Sequence, residues 1–83
     1  MTDDDKKRRN SVLATVSWNG QISARELRHE LESVHGVAVT LDRLRADLRY
    51  LADIGALRFD AQAGVAQITV EGREHVGQLR EMF

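Results

Sequence analysis

Cysteine is absent from this 83-residue chain, which excludes disulfides and thiolate metal sites. Proline is absent as well, so no helix is broken from within. Aromatic residues are scarce, at 5%; the single tryptophan, Trp18, is expected in the core or in a dimer seam, where aromatics dominate the energetics. Long apolar runs are missing, so no membrane span is expected. The opening Thr2-Asp3-Asp4-Asp5-Lys6-Lys7-Arg8-Arg9 has no apolar run behind it and does not read as a signal peptide. The expectation is a soluble cytoplasmic protein. A basic excess is also missing: 12 basic residues face 13 acidic ones, for a net charge of −1. That counts against strong non-specific nucleic-acid binding. His29, His35 and His75 show no metal-ligand spacing, no Ser/His/Asp motif is present, and no glycine-rich loop follows a strand. Neither an enzyme nor a metal or cofactor site is therefore expected.

The chain is organised around the stretch from Val39 to Leu57. Leu41, Leu44, Leu48, Leu51 and Ile54 recur at steps of three and four, which draws an apolar stripe down one helix. Thr40 can cap this helix, Val39 can pack back on Leu44, and Gly55 sits where a left-handed residue ends it. The opposite face carries Asp42, Arg43, Ala46, Arg49, Tyr50 and Asp53, with Arg45 on its flank. Three acid–arginine pairs have helix-neighbour spacing: Asp42 with Arg45, Arg43 with Asp47, and Arg49 with Asp53. A buried seam with an arginine-bearing outer face suits a DNA-reading helix. It suits equally any amphipathic helix of a small domain.

Read in order, the chain is one small domain spanning 1–83, with residues 1–9 expected to be solvated or frayed. Thr2 can cap a first helix, and the basic block from Lys6 to Arg9 reads as a solvated face in preference to a phosphate-binding arm. Asn19-Gly20 signals a turn, and Gln21-Ile22 leaves room for a very short strand. Ser23 with Glu26 forms a capping box for a second helix, whose stripe is Ala24, Leu27, Leu31 and Val34, with Gly36 at its end. Beyond Gly55 the period becomes two, in Leu57–Asp60 and in Ala66–Val70, with Gly64 in the turn between: a β-hairpin. Thr69 can cap a last helix bearing Val76, Leu79, Met82 and Phe83. Gly72 and Gly77 should weaken that helix, each by roughly 1 kcal/mol against alanine. The expected class is α+β, a three-helix core with a short strand, a hairpin wing and a C-terminal helix. The expected core is Leu13, Val16, Leu27, Leu31, Leu44, Leu48, Leu51, Phe59 and Ile68.

Two segments carry a resemblance. Arg45-Ala46-Asp47-Leu48-Arg49-Tyr50-Leu51-Ala52-Asp53-Ile54-Gly55-Ala56-Leu57 resembles the end of the recognition helix in ArsR-like winged-helix proteins. Ile68-Thr69-Val70-Glu71-Gly72-Arg73-Glu74-His75-Val76 resembles the passage after the wing in the same superfamily. The whole looks most like the small winged-helix proteins of transposable, Mu-like phages and prophages. The resemblance implies base contacts from Asp42, Arg43, Ala46 and Arg49, with Thr40 and Arg45 near phosphates. Ser23 and Arg25 would touch phosphate at the start of the preceding helix. The chain departs from the pattern at the wing tip, Ala61-Gln62-Ala63-Gly64, which has no basic residue. The expected function is a sequence-specific DNA-binding phage or prophage transcriptional regulator with double-stranded DNA as its partner. The competing expectation is a phage accessory module that binds a host or virion protein without touching DNA. A homodimer is expected from Val12, Trp18, Val76, Leu79, Met82 and Phe83 at the two ends of the chain.

Overall fold

The computed structural model describes residues 3–81, with side chains described as far as Gly77. The elements are α1 (Asp3–Asn19), β1 (Gln21–Ser23), α2 (Ala24–His35), α3 (Leu41–Asp53), β2 (Leu57–Asp60), β3 (Val65–Ile68) and α4 (Val70–Glu81). The expected α+β order is present. Thr2, Met82, Phe83 and the side chain of Leu79, all invoked from the sequence, lie outside the described residues.

Local signals act where the sequence puts them. The Ser23 hydroxyl oxygen accepts from the Glu26 N–H at 3.2 Å, and the Thr40 hydroxyl oxygen accepts from the Arg43 N–H at 3.2 Å. Each satisfies a donor that the first helical turn would leave open. The wing turn is built by Asp60, whose Oδ1 accepts from the N–H groups of Gln62 and Ala63 at 3.0 and 3.1 Å. Gly64 completes it at φ 68°, donating to the Asp60 carbonyl at 2.7 Å. That angle is strained for any residue with a Cβ. The hairpin is therefore short and held from within.

The three strands form an antiparallel sheet in the order β1-β3-β2. Ile22, Ala66 and Phe59 stand in register on the inner face, and Gln21, Gln67 and Arg58 on the outer. The helices cover the inner face, and α1 packs against α2, α3 and α4. Leu13, Val16, Leu27, Leu31, Leu44, Leu48 and Leu51 are buried as expected, joined by Val12, Ile22, Ala24, Ala56, Leu57, Ala66 and Val76. Phe59 and Ile68 are only half-buried against this core.

Several expectations need correction. Val34 and Ile54 continue their stripes in sequence but are exposed, because each falls in the last turn of its helix or just past it, beyond the packed neighbours. Trp18 is 78% exposed and takes no part in the core. Val12 and Val76 are buried within the protomer, so they cannot face a second copy as the dimer argument requires. The second hairpin strand starts at Val65 and ends at Ile68, not at Val70. Thr69 leaves the sheet because its hydroxyl donates to the Gly55 carbonyl at 2.7 Å and accepts from the Gly72 N–H at 3.1 Å.

Gly72 is more than a weak helix former. A Cβ there would lie 1.8 Å from the Ala56 carbonyl oxygen and 2.8 Å from the Ile68 Cδ1. Only a glycine lets α4 dock this closely on the α3–β2 turn. Gly77, in the same helix, has nothing within 4 Å of an added Cβ. The same substitution should therefore have opposite signs at the two sites. Gly77→Ala should stabilise by up to about 1 kcal/mol through helix propensity. Gly72→Ala should destabilise by about 1–3 kcal/mol, because backbone must move to admit the methyl. Urea unfolding of the two variants checks this, and equal effects would contradict the close approach.

Candidate nucleic-acid interface

The outer face of α3 is open to solvent. Asp42, Arg43, Ala46, Arg49, Tyr50 and Asp53 are exposed, whereas Leu44, Asp47, Leu48 and Leu51 are buried. The candidate readers Asp42, Arg43, Ala46 and Arg49 thus share one accessible surface, as the 3.6-residue period requires. Thr40 stands at its head as the helix cap, with its oxygen already used by the Arg43 N–H.

Arg45 leaves this surface for the wing. Its Nη2 lies 3.6 Å from where a Cβ on Gly64 would sit. The Ala24 N–H donates to the Gly64 carbonyl at 2.7 Å. The wing turn therefore sits against the start of α2, next to Ser23 and the exposed Arg25. The uncharged tip is flanked by a cation that comes from α3 instead of from the hairpin. Ser23 is half-buried, and its oxygen is occupied as the α2 cap.

Asp47 is the residue that the spacing misplaced. It was expected to pair with Arg43 on the surface, but it is fully buried against α1. There it accepts from Arg8 Nε at 2.5 Å, Arg8 Nη2 at 3.0 Å and Arg9 Nε at 3.2 Å. Asp5 Oδ1 meets the same Arg8 Nη2 at 2.9 Å, and the Arg9 guanidinium lies 3.9 Å over the Tyr50 ring. The basic block is consequently divided. Lys6 and Lys7 are exposed, as a solvated face would be, while Arg8 and Arg9 are folded onto Asp47. The hydrogen bonds to Asp47, and after them Asp5, hold the Arg8 guanidinium above its ordinary pKa. That contribution is accordingly present below the ordinary arginine range for as long as the Asp47 carboxylate stays ionised. The sequence did carry a signal. Asp47 is three residues from Leu44 and four from Leu51, so it occupies the buried stripe, where a charge must find a partner.

This pairing changes the surface charge. Three arginines and three aspartates balance along α3 in sequence, but Asp47 is withdrawn and neutralised. Arg43, Arg45 and Arg49 then face only Asp42 and Asp53. The other two pairs expected from spacing, Asp42–Arg45 and Arg49–Asp53, do not form among the described residues, so an incoming phosphate or base has no such pair to displace. Exposed pairs of this kind are in any case worth only about 0–1 kcal/mol. The three histidines are exposed, and His35 Nε2 lies 3.1 Å from the Thr15 hydroxyl. Among the described residues, no group of three or more His, Asp or Glu is placed to hold a metal ion. No described helix is long and apolar enough to cross a membrane.

No family model and no curated protein matches the chain in sequence. Solved structures do match in shape. The winged-helix DNA-binding protein F93 from STIV superposes with a TM-score of 0.80 over 94% of this chain and 88% of its own, at 20% identity. A chain in the complex structure of hsRosR-S4 gives a TM-score of 0.78 over 99% of this chain and 70% of its own, at 21% identity. With the three-helix core, the three-stranded sheet and the hairpin already in place, these likenesses make the fold a winged helix.

Proposed function

We propose that the protein binds double-stranded DNA and reads it with the outer face of α3, as a regulator of the ArsR-like kind from a transposable phage or prophage. The observation that carries this reading is the withdrawal of Asp47, which leaves three α3 arginines, Arg43 and Arg49 on the outer face and Arg45 beside the wing turn, against only Asp42 and Asp53. The DNA-binding description printed for F93 supports it. Arg43 and Arg49 would meet base edges in the major groove, with Asp42 and Ala46 between them. Thr40, Arg45, Ser23 and Arg25 would face phosphate around the wing turn. A two-fold homodimer would place two α3 helices on a palindromic site. Trp18 is the described residue of the expected seam that remains exposed.

Arg43→Ala and Arg49→Ala should each cost roughly 1–3 kcal/mol in specific affinity and relax sequence preference. Neither should shift stability by more than about 0.5 kcal/mol, since both side chains are exposed. Selection from a random duplex library, followed by a salt series on the winner, tests both points. Wild-type protein that enriches no sequence even near 50 mM salt would refute the DNA reading. The net charge of −1 favours a second reading, a module that binds a protein partner. Exposed Trp18 and Val34, which border one open hollow with Thr15, Asn19, Glu30 and His35, are where such a partner would sit.

A further inference from the structure

A concave surface adjoins the outer face of α3 at Tyr50. The first half of α1, the end of α3, the α3–β2 turn and the start of α4 enclose an open groove of about 460 Å³. Small-molecule sites span roughly 300–1,000 Å³. The floor is apolar, made by Leu13, Leu51 and Ala56. Tyr50 and Ile54 form a wall, with Ile54 62% exposed. Arg9 lies over the Tyr50 ring, which holds the ring's orientation.

The rim is charged, and unevenly so. Lys6 and Arg9 stand on the α1 side, and Glu71 with His75 on the α4 side. Arg9 is already engaged with Asp47, whereas Lys6 is exposed. Glu71 repels an anion from the α4 side, so an anionic group is directed towards Lys6. An apolar body would then lie over the floor, against the Tyr50 and Ile54 wall. Charged residues are depleted at the cores of protein interfaces, and four titratable side chains on the rim of so small a pit oppose a broad apolar seam.

We propose that this groove binds a small, flat, amphipathic monoanion, an aromatic carboxylate, with its ring on the Tyr50–Ile54 wall and its carboxylate at Lys6. The groove's chemistry stands whether or not α3 meets DNA. Because Tyr50 and Ile54 belong to the end of the segment that carries Arg43 and Arg49, an occupant would touch α3 at its C-terminal end.

The test is titration of 2-naphthoate into the full-length, ¹⁵N-labelled chain, with the neutral 2-naphthalenemethanol as its counterpart. Saturable shifts are expected at the amides of Leu51, Ile54, Ala56 and His75. Lys6→Gln should weaken naphthoate by about two- to fivefold, the size of one exposed ion pair, and leave the neutral probe unchanged. Lys6→Glu should weaken naphthoate further. Should Lys6→Glu fail to fold, Lys6→Gln alone carries the comparison. Three outcomes would overturn the proposal: shifts confined to Trp18 and Val34, no saturable shift up to the probe's solubility, or equal losses for both probes. Movement of the same amides on dilution of the protein alone would assign the groove to a second copy of the chain and overturn it as well.

Discussion

Asp47→Ala should remove about 3 kcal/mol of stability, towards the lower end of what breaking a buried ion pair costs. The lower end applies because the Arg8 and Arg9 side chains retain 16% and 18% exposure and can turn part-way to water. Asp47 has no such route, with 1% of its side chain exposed. Three arginine N–H donors converge on it across the α1–α3 interface. Losing the carboxylate removes these three hydrogen bonds, leaves Arg8 with Asp5 and Arg9 over Tyr50, and opens a void between the helices. A double-mutant cycle identifies the partner. Arg8 and Asp47 should couple by about 0.5–3 kcal/mol, as groups in direct contact do, while Arg43 and Asp47 should couple by close to zero. Strong coupling to Arg43 would restore the surface pair that the helical spacing suggests. Replacing both Arg8 and Asp47 with apolar residues could recover much of the loss, since a buried pair is seldom better than good packing. The expected penalty therefore concerns an abandoned partner and is not a measure of the net value of the pair.

Leu48→Ala should cost about 2–5 kcal/mol. Leu48 is fully buried at the middle of α3, among Leu44, Leu51 and the core residues of α1 and α2. Truncation removes apolar contact and leaves a hole that rigid helices fill only in part. A domain of this size holds about 5–15 kcal/mol in total, so the variant loses a large share of its stability. For a chain of 60–100 residues each kcal/mol lowers the melting temperature by about 4–8 °C, so the loss is easily read by thermal unfolding. Ile54→Ala is the control from the same sequence stripe. With Ile54 62% exposed, its loss should stay within about 0.5 kcal/mol. Equal losses at the two sites would mean that the packed face of α3 runs further than the structure shows.

The contrast between Leu48 and Ile54 shows how far the sequence can be read. Periodicity reports which face of a helix is apolar; it does not report where the neighbouring element stops. Leu41, Leu44, Leu48, Leu51 and Ile54 all obey one spacing, but the core covers the stripe from Leu41 to Leu51 and leaves Ile54 exposed. Val34 in α2 and Trp18 in α1 show the same limit. The outer face of α3 was more legible. Once Leu44, Leu48 and Leu51 turn inwards, Asp42, Arg43, Ala46 and Arg49 must turn outwards, and no distant residue is needed to say so. Arg45 was placed on the flank from spacing, but its approach to the Gly64 turn depends on where the hairpin folds back.

Element types, their order and their caps were determined by the sequence alone, because each depends on residues within one or two turns. Ser23 and Thr40 bond to N–H groups three positions away, Gly36, Gly55 and Gly64 take left-handed angles, and the period shifts from 3.6 to two after Gly55. The partner of Asp47, the need for glycine at position 72 and the groove beside Tyr50 were decided only by the tertiary structure. Each joins residues far apart in the chain: Arg8 with Asp47, Ala56 with Gly72, Leu13 with Leu51 and His75. A local pattern offers a buried carboxylate several equally spaced partners, and only the packing of α1 across α3 determines which of them is within reach.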